Sequence, residues 1–460
     1  MKTLTKSVLS AAIITAMAAS SAQAHLSGEF FEDSELTLHL KNYYKSKSQI
    51  DKTTGEQKSK DKDKGWAQTV GFDFNSGYFA NIIGFDLGAH HVFKLHDNIG
   101  SNNVSNSDLF RPGHKKNGKT KGESYGKAFG AVKVNLMDNG VAKIGRMVLD
   151  TPLLNSFDAD AALPSTVEAF YADYSMYGVT VFGAVAKKSS RATEAGYEDY
   201  GVKIDGKFKK RSVKTMGAMY EMDGLKLSAA YAKQKDTVKA FYMDGSSTFN
   251  MDDHTFVTVG AQYGKNKATG ATKDNEIDRG GIAPDEKDSI SWHGLMAEAG
   301  YDNITMMVSM VDVGGGKNAG LSDAAVGWGT AGDSIELEDS IEPEDQTEFN
   351  GYNSMMINDF HAANEKSYQV KLGYDFSDMV DGLSASFSYV DGKIGGAKAD
   401  KADTNEYNIH IDYEVPVLEG VMVSLSHGKY EKKSKAENQV KTTTTQKETR
   451  LMVTYDLAIF

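Results

Sequence analysis

Ser367-Tyr368-Gln369-Val370-Lys371-Leu372-Gly373-Tyr374-Asp375-Phe376 alternates without a break. Tyr368, Val370, Leu372, Tyr374 and Phe376 share one face, and Ser367, Gln369, Lys371, Gly373 and Asp375 share the other. Successive side chains of a strand point to opposite faces, so this period of two means a strand with one apolar and one polar face. At 406–415, Tyr407, Ile409, Ile411, Tyr413 and Val415 oppose Glu406, Asn408, His410, Asp412 and Glu414. At 66–75, Trp66, Val70, Phe72 and Phe74 oppose Ala67, Thr69, Gly71, Asp73 and Asn75. At 450–459, Leu451, Val453, Tyr455, Leu457 and Ile459 oppose Arg450, Met452, Thr454, Asp456 and Ala458.

A soluble sandwich shows the same alternation, with its apolar face in a core. Two features favour the membrane version. The segments run about ten residues, the length of a tilted bilayer-crossing strand, and aromatics sit near their ends as interfacial girdles do. Connections also alternate in length. Short ones include Asn75-Ser76-Gly77, Asp138-Asn139-Gly140, Asp223-Gly224 and Asp302-Asn303; long ones fall near 45–64, 94–124, 148–165, 264–289, 313–366, 392–404 and 431–446. Short periplasmic turns and long outer loops are the asymmetry of an outer-membrane barrel. Nineteen candidate strands can be marked, five of them between the loops near 188–197 and 264–289, where an even number is required. Removing one there leaves an all-β, transmembrane, antiparallel up-and-down barrel of about 18 strands.

The rest of the composition agrees. The 460 residues include no Cys, 45 Gly and only 6 Pro, and are 40% hydrophobic, too apolar for a disordered chain. After the first two dozen residues no apolar run reaches the 18 or so that a spanning helix needs. Disulfide scaffolds and cysteine-based zinc sites are excluded. A formal charge of −12 argues against a nucleic-acid binder, whose affinity rests on Lys and Arg neutralising phosphates. Residues 1–24 read as a secretory signal. Lys2 and Lys6 form the charged start, Val8 to Ala19 is short and apolar, and Ala22-Gln23-Ala24 offers small residues for cleavage. Cleavage there leaves 25–460 as one barrel domain with 49 basic and 63 acidic residues, a formal −14.

Phe31-Glu32-Asp33-Ser34-Glu35-Leu36-Thr37-Leu38 and several later stretches, taken in order, resemble the OprD family of outer-membrane porins. Leu40-Lys41-Asn42-Tyr43-Tyr44 comes next. Trp66-Ala67-Gln68, Ser76-Gly77-Tyr78, Ile83-Gly84-Phe85-Asp86-Leu87-Gly88 and Gly130-Ala131-Val132-Lys133-Val134 follow. Pro152-Leu153-Leu154 to Leu163-Pro164-Ser165-Thr166 resembles the family's third loop. Gly332-Asp333-Ser334-Ile335, Asn358-Asp359-Phe360 and Glu365-Lys366-Ser367-Tyr368 resemble its seventh loop and the next strand. Glu448-Thr449-Arg450-Leu451-Met452-Val453-Thr454-Tyr455 closes the set. The resemblance implies an 18-stranded channel for small hydrophilic solutes, in the outer membrane of a Gram-negative bacterium. Its third and seventh loops would fold inward, and basic side chains opposite them would guide carboxylates. On that basis Lys41, Lys133 and Arg450 stand on the basic wall, with Asp158 and Asp160 on one loop and Asp333 and Ser334 on the other. A C-terminal aromatic, Phe460 here, is the signal such barrels offer to the assembly machinery.

One departure bears on selectivity. Where the family's C-terminal strands carry lumen arginines, this chain has Ser384, Ser386 and Ser388, then Ser424 and Ser426, all on the polar face. His410 shares that face. Hydroxyls with few fixed cations suit neutral solutes that exchange hydrogen bonds, saccharides first among them and chitooligosaccharides as an example within the family. Carboxylates or amino acids are the alternative the family at large implies, and a non-transporting structural or adhesive barrel is the alternative of another class.

Other motifs weigh less. Gly327-Trp328-Gly329-Thr330-Ala331-Gly332 matches a dinucleotide fingerprint in letters only, since no βαβ unit surrounds it; it reads as a flexible part of the seventh loop. The acidic run from Asp333 to Glu348, and the lysine-rich stretch Lys45 to Lys64, read as solvated loops, the latter within reach of lipopolysaccharide. His90-His91 read as interfacial and His427 as an exposed strand-end residue. No Gly-x-Ser-x-Gly elbow or His-Glu-x-x-His motif marks an enzyme, and no cofactor is implied. Partners reduce to small solutes, outer-membrane lipid with its lipopolysaccharide, and the assembly machinery, in a monomer or trimer.

Overall fold

The computed structural model describes residues 28–53, 56–98, 109–116, 119–137, 139–156, 161–274, 287–315, 324–331, 351–395, 401–435 and 441–460; the expected signal lies outside them. The strands of the main wall are β1 (Glu35–Thr53), β2 (Glu56–Asn75), β3 (Ile83–Asn98), β4 (Tyr125–Asn135), β5 (Gly140–Met147) and β6 (Thr166–Met176). They continue with β7 (Val179–Ser190), β8 (Val213–Met222), β9 (Leu225–Gln234), β10 (Val238–Asn250), β11 (Thr255–Ala268) and β12 (Ser289–Tyr301). Last come β13 (Ile304–Val313), β14 (Glu365–Asp375), β15 (Leu383–Ile394), β16 (Lys401–Glu414), β17 (Val421–Lys435) and β18 (Lys441–Ala458).

Each strand pairs antiparallel with its neighbours, and β1 pairs with β18 from Thr37↔Ala458 to Thr53↔Thr442, which closes the barrel. Past the ladder, Leu36 N donates to the Phe460 carbonyl (3.0 Å) and Ile459 N to that of Leu36 (2.8 Å). Phe460, which breaks the alternation, therefore still extends the closing seam. The nineteenth member of the sheet is the two-residue segment Glu198–Asp199 beside β7. Between 188 and 289 the wall has four strands rather than five. The surplus amphipathic stretch, Gly201–Ile204 with Lys207–Lys210, forms a separate two-stranded hairpin that is not part of the wall's ladder.

The two faces follow the alternation. Leu87, Ile144, Phe170, Val308, Val370 and Leu451 all point outward and are exposed, which a barrel reconciles by turning them to lipid. The largest cluster of buried apolar side chains instead lies inside, where Leu153, Leu154, Val326 and Trp328 from two loops pack against inward-facing Trp292 and Ala232. At the end holding both termini, two-residue hairpins at Tyr177-Gly178 and Asp223-Gly224 have φ of 52° and 76°, and 50° and 78°. Left-handed conformation at both positions matches the strand twist, which is why glycine occupies the second.

Some expected loops are strand. The stretch 45–64 is the continuation of β1 and β2, in register from Lys45↔Gly65 to Asp51↔Ser59, and only 54–55 separate the two strands. It is polar on both faces, so no apolar alternation marked it, yet the backbone ladder needs none. In the same way β15 continues to Ile394 and β16 begins at Lys401 within 392–404, and β17 continues to Lys435 and β18 begins at Lys441 within 431–446.

Outward and inward positions on one strand should respond oppositely to charge. Replacing Leu425, outward and flanked by Ile411 and Leu451, with Arg should lower unfolding free energy by about 2–4 kcal/mol in urea titrations of vesicle-inserted barrel. Ser424→Arg, facing the lumen, should change it far less.

Candidate functional site

Two loops enter the lumen from the outer end and are tied to different arcs of the wall. The loop after β5 reaches β1, β2 and β4. Lys41 Nζ donates to the Ala161 carbonyl (2.8 Å), and Lys127 Nζ donates to the carbonyls of Pro164, Ser190 and Arg191 (3.1, 3.1 and 2.7 Å). Thr69 Oγ1 reaches Ala162 O at 3.4 Å. The loop after β13 spans the opposite arc. Gln234 on β9 clamps Gly329 from both sides, its Nε2 donating to the carbonyl (2.8 Å) and its Oε1 accepting from the N–H (2.9 Å). Asn266 donates to Ala324 O (2.8 Å), Tyr352 N donates to Gln262 Oε1 (3.2 Å), and Ser309 donates to Asn353 (2.6 Å). On the last arc, Glu406 accepts from the N–H groups of Ile357 and Asn358 (2.9 and 3.0 Å), and Arg450 Nη2 donates to Met356 O (2.7 Å).

The loops meet each other at Trp328, 1% exposed, whose Nε1 donates to the Leu153 carbonyl (3.0 Å). The stretch expected to be flexible is thus firmly held. Its glycines permit close approach: a Cβ on Gly329 would lie 2.6 Å from the carbonyl of Gly201, whose own N–H donates to Gly329 O (2.9 Å). Desolvation, helped by Asp244, pushes the phenol of Tyr352 up to about 12, so it stands in the lumen as a neutral hydroxyl at ordinary pH.

Lys41 and Arg450 lie on adjacent strands at the level of these loops. Arg450 is opposite Lys45, and both address Glu448, at 2.6 and 3.4 Å. Lys133 is elsewhere: it sits two residues from the periplasmic end of β4, bonded to Asp86 (2.8 Å) and over the ring of Tyr78. Ser388 and Ser426 face inward but are buried, because the tail of the loop after β13 runs over neighbouring Asn408 and Gly428 with Met355 and Met356. Ser384, Ser386 and Ser424 are half-buried on the same face below them. His410 is directly opposite Ser386 and Ser426, its Nδ1 2.9 Å from Ser426 Oγ. Asp158, Asp160, Asp333 and Ser334 fall outside the described residues, as does the acidic run.

Two histidine readings change. His90 points into the lumen and bonds Asp73 at 2.9 Å, in a chain with His39 (3.1 Å) and Asp456 (2.7 Å) near the periplasmic mouth; of the pair, His91 packs outward against Phe93 with its ring tilted. His427 is half-buried and bonds Thr449 (2.8 Å). Sequence reasoning also passed over Lys371, whose exposed side chain faces the lumen beside Ser388, and the carboxylates Glu406 and Glu448. Their signal was present, since alternation puts all three on the polar face; what it lacked was the position of the loops they meet.

A closed barrel whose lumen is narrowed by two pinned loops is the architecture of a constricted membrane channel. Residues 28–459 match the family described as outer membrane porin, OprD family, and the chain belongs to that family. Among solved structures it is similar to Pseudomonas aeruginosa OpdK with vanillate, at TM-score 0.71 and 21% identity over 93% of this chain and 100% of that one. It is likewise similar to P. aeruginosa OccK9 (OpdG), at 0.72, 19%, 94% and 100%. Acinetobacter baumannii OccAB2 gives 0.71, 18%, 94% and 100%. A stretch of 85 residues is 38% identical to membrane-associated protein UidC of Escherichia coli (strain K12), covering 18% of this chain and 17% of UidC.

Cutting the ties should loosen the constriction. Gln234→Ala leaves both polar groups of Gly329 without that partner and should destabilise the loop by about 1–3 kcal/mol. Planar-bilayer recordings should show raised single-channel conductance and added open-level noise, with Trp328→Ala acting in the same direction.

Proposed function

We propose that the barrel passes small hydrophilic solutes by passive diffusion, and that those its wall favours are neutral saccharides such as chitooligosaccharides. One observation carries the reading: four cations at the loops, Lys41, Lys45, Lys127 and Arg450, are already engaged. Lys41 and Lys127 are spent on loop carbonyls, while Lys45 and Arg450 share Glu448. A cation held by a carboxylate or carbonyl attracts a passing anion weakly, because its field is largely cancelled at solute distance. Ser384, Ser386, Ser424 and the Tyr352 phenol then supply hydroxyls that donate or accept as a sugar turns past them.

In this reading Lys41 and Arg450 flank the path at the loops, and Lys133 at the periplasmic mouth. Asp158, Asp160, Asp333 and Ser334 supply the facing loop groups, and the field across the gap orients dipolar solutes. Ser388, His410 and Ser426 complete the hydroxyl wall. The C-terminal strand ending in Phe460 is the segment through which the assembly machinery receives the barrel. Lys371 favours the second reading, a path for carboxylates, because its ammonium is exposed in the lumen; OpdK, a structural neighbour, is solved with the aromatic carboxylate vanillate.

Single-channel current through the purified barrel, titrated with chitohexaose and separately with vanillate, tests this. Concentration-dependent block by the sugar alone supports the saccharide path. Block by vanillate alone, abolished in Lys371→Ala, replaces it with the carboxylate path. A barrel without conductance steps would overturn both and leave a structural role.

A further inference from the structure

The outer face of the wall carries a second charged feature at its extracellular end. Lys214 on β8 is directly opposite Lys233 on β9, Lys233 is opposite Lys239 on β10, and Lys239 is opposite Lys267 on β11. Four neighbouring strands thus present one unbroken row of lysines, and Lys265 adds a fifth beside it. All five point outward, since the residues flanking them along each strand, including Val213, Ala232, Gln234, Ala240 and Asn266, are buried toward the lumen. Lys267 meets Asp288 at 3.4 Å, a carboxylate it shares with Lys273. Among the described residues no ion pair joins Lys214, Lys233, Lys239 or Lys265 to an acid.

Like charges directly opposite on adjacent strands repel, because their side chains leave the sheet only about 5 Å apart. The flank formed by β13 to β17 intersperses acids among its lysines, although Lys366 is directly opposite Lys393. There the corresponding outward row reads Asp312, Lys366, Lys393, Asp403 and Lys433 across β13 to β17, with Lys366 bonded to Asp312 (3.1 Å) and Lys433 to Glu431 (2.6 Å). Among the described residues Lys214, Lys233, Lys239 and Lys265 lack such partners, and their row has a defined height. Immediately below it lie Tyr231, Phe241 and Tyr263, outward and exposed, with Phe241 opposite both Tyr231 and Lys265. Aromatics of this kind mark the boundary between hydrocarbon and head groups, so the lysines stand where the head groups begin.

We propose that the outer face of β8 to β11 is a binding site for the phosphorylated head group of an outer-leaflet glycolipid. Its phosphates supply the anionic layer that Lys214, Lys233, Lys239 and Lys265 lack among the described residues, while its acyl chains lie over the apolar wall below the aromatics. The proposal rests on membrane placement and is independent of which solute the lumen passes.

Native mass spectrometry of the purified barrel in detergent, titrated with bisphosphorylated lipid A and with the same lipid dephosphorylated, reads the site directly. The phosphorylated form should bind about tenfold tighter or more, and Lys214→Gln/Lys233→Gln/Lys239→Gln/Lys265→Gln should remove that difference. Lys366→Gln/Lys393→Gln/Lys433→Gln on the flank of β14 to β17 should keep it. Both variants should retain wild-type conductance, which separates this site from the solute path and verifies folding; should the quadruple variant fail to insert, Lys233→Gln/Lys239→Gln should show a partial loss. Equal binding of the two lipids, undiminished preference in the β8–β11 variants, or equal loss in the two flanks would each overturn the proposal.

Discussion

Everything in this molecule depends on one constraint: the bilayer interior offers no water to a backbone N–H or C=O. A sheet can cross it only if no edge is left open. The pairing of β1 with β18, extended by the carbonyls of Leu36 and Phe460, meets that demand. Once the wall is closed, the alternation of side chains leaves the apolar set against lipid and the polar set around a lumen. The usual interior and exterior are exchanged, and the largest apolar cluster forms where loops folded inside meet inward-facing wall residues.

That inversion explains the behaviour of the inward charges. In the outer half of the lumen a polar side chain faces loop backbone whose N–H and C=O groups have left water. Glu406, Gln234, Asn266 and Arg450 satisfy those groups one by one, and so draw the long loop after β13 across from β9 to β18. Lys41 and Lys127 do the same for the loop after β5. Basic residues that read as a rail for anions therefore serve first as anchors for the constriction. Lys371, opposite Ser388, remains exposed on the lumen face, and Ser384, Ser386 and Ser424 lie half-buried below it.

The outer surface obeys a different balance. Its apolar band is indifferent to which residue sits where, but the ring above the aromatics is not, because charges on neighbouring strands are forced into proximity by the register. Acids interspersed among the lysines ease this on the flank of β13 to β17, whereas on β8 to β11 the row is lysine throughout.

The amino-acid sequence by itself determined the strands, their two faces and the family. Period-two alternation and type I′ turn residues such as Asp223-Gly224 are local, and a barrel wall is built from local repeats. The inward placement of His410, Lys371 and the serines followed from the same parity. Tertiary structure alone decided what each inward residue meets. Nothing near Gln234 in the chain points to Gly329, ninety-five residues away, and nothing near Trp328 points to Leu153. The hairpin at 45–64 escaped notice because it is polar on both faces, and Ser388 and Ser426 were expected to be open because a strand pattern carries no sign of the loop that covers them. Alternation reports the side of the wall on which a residue lies; only the closed sheet sets which loop lies against it.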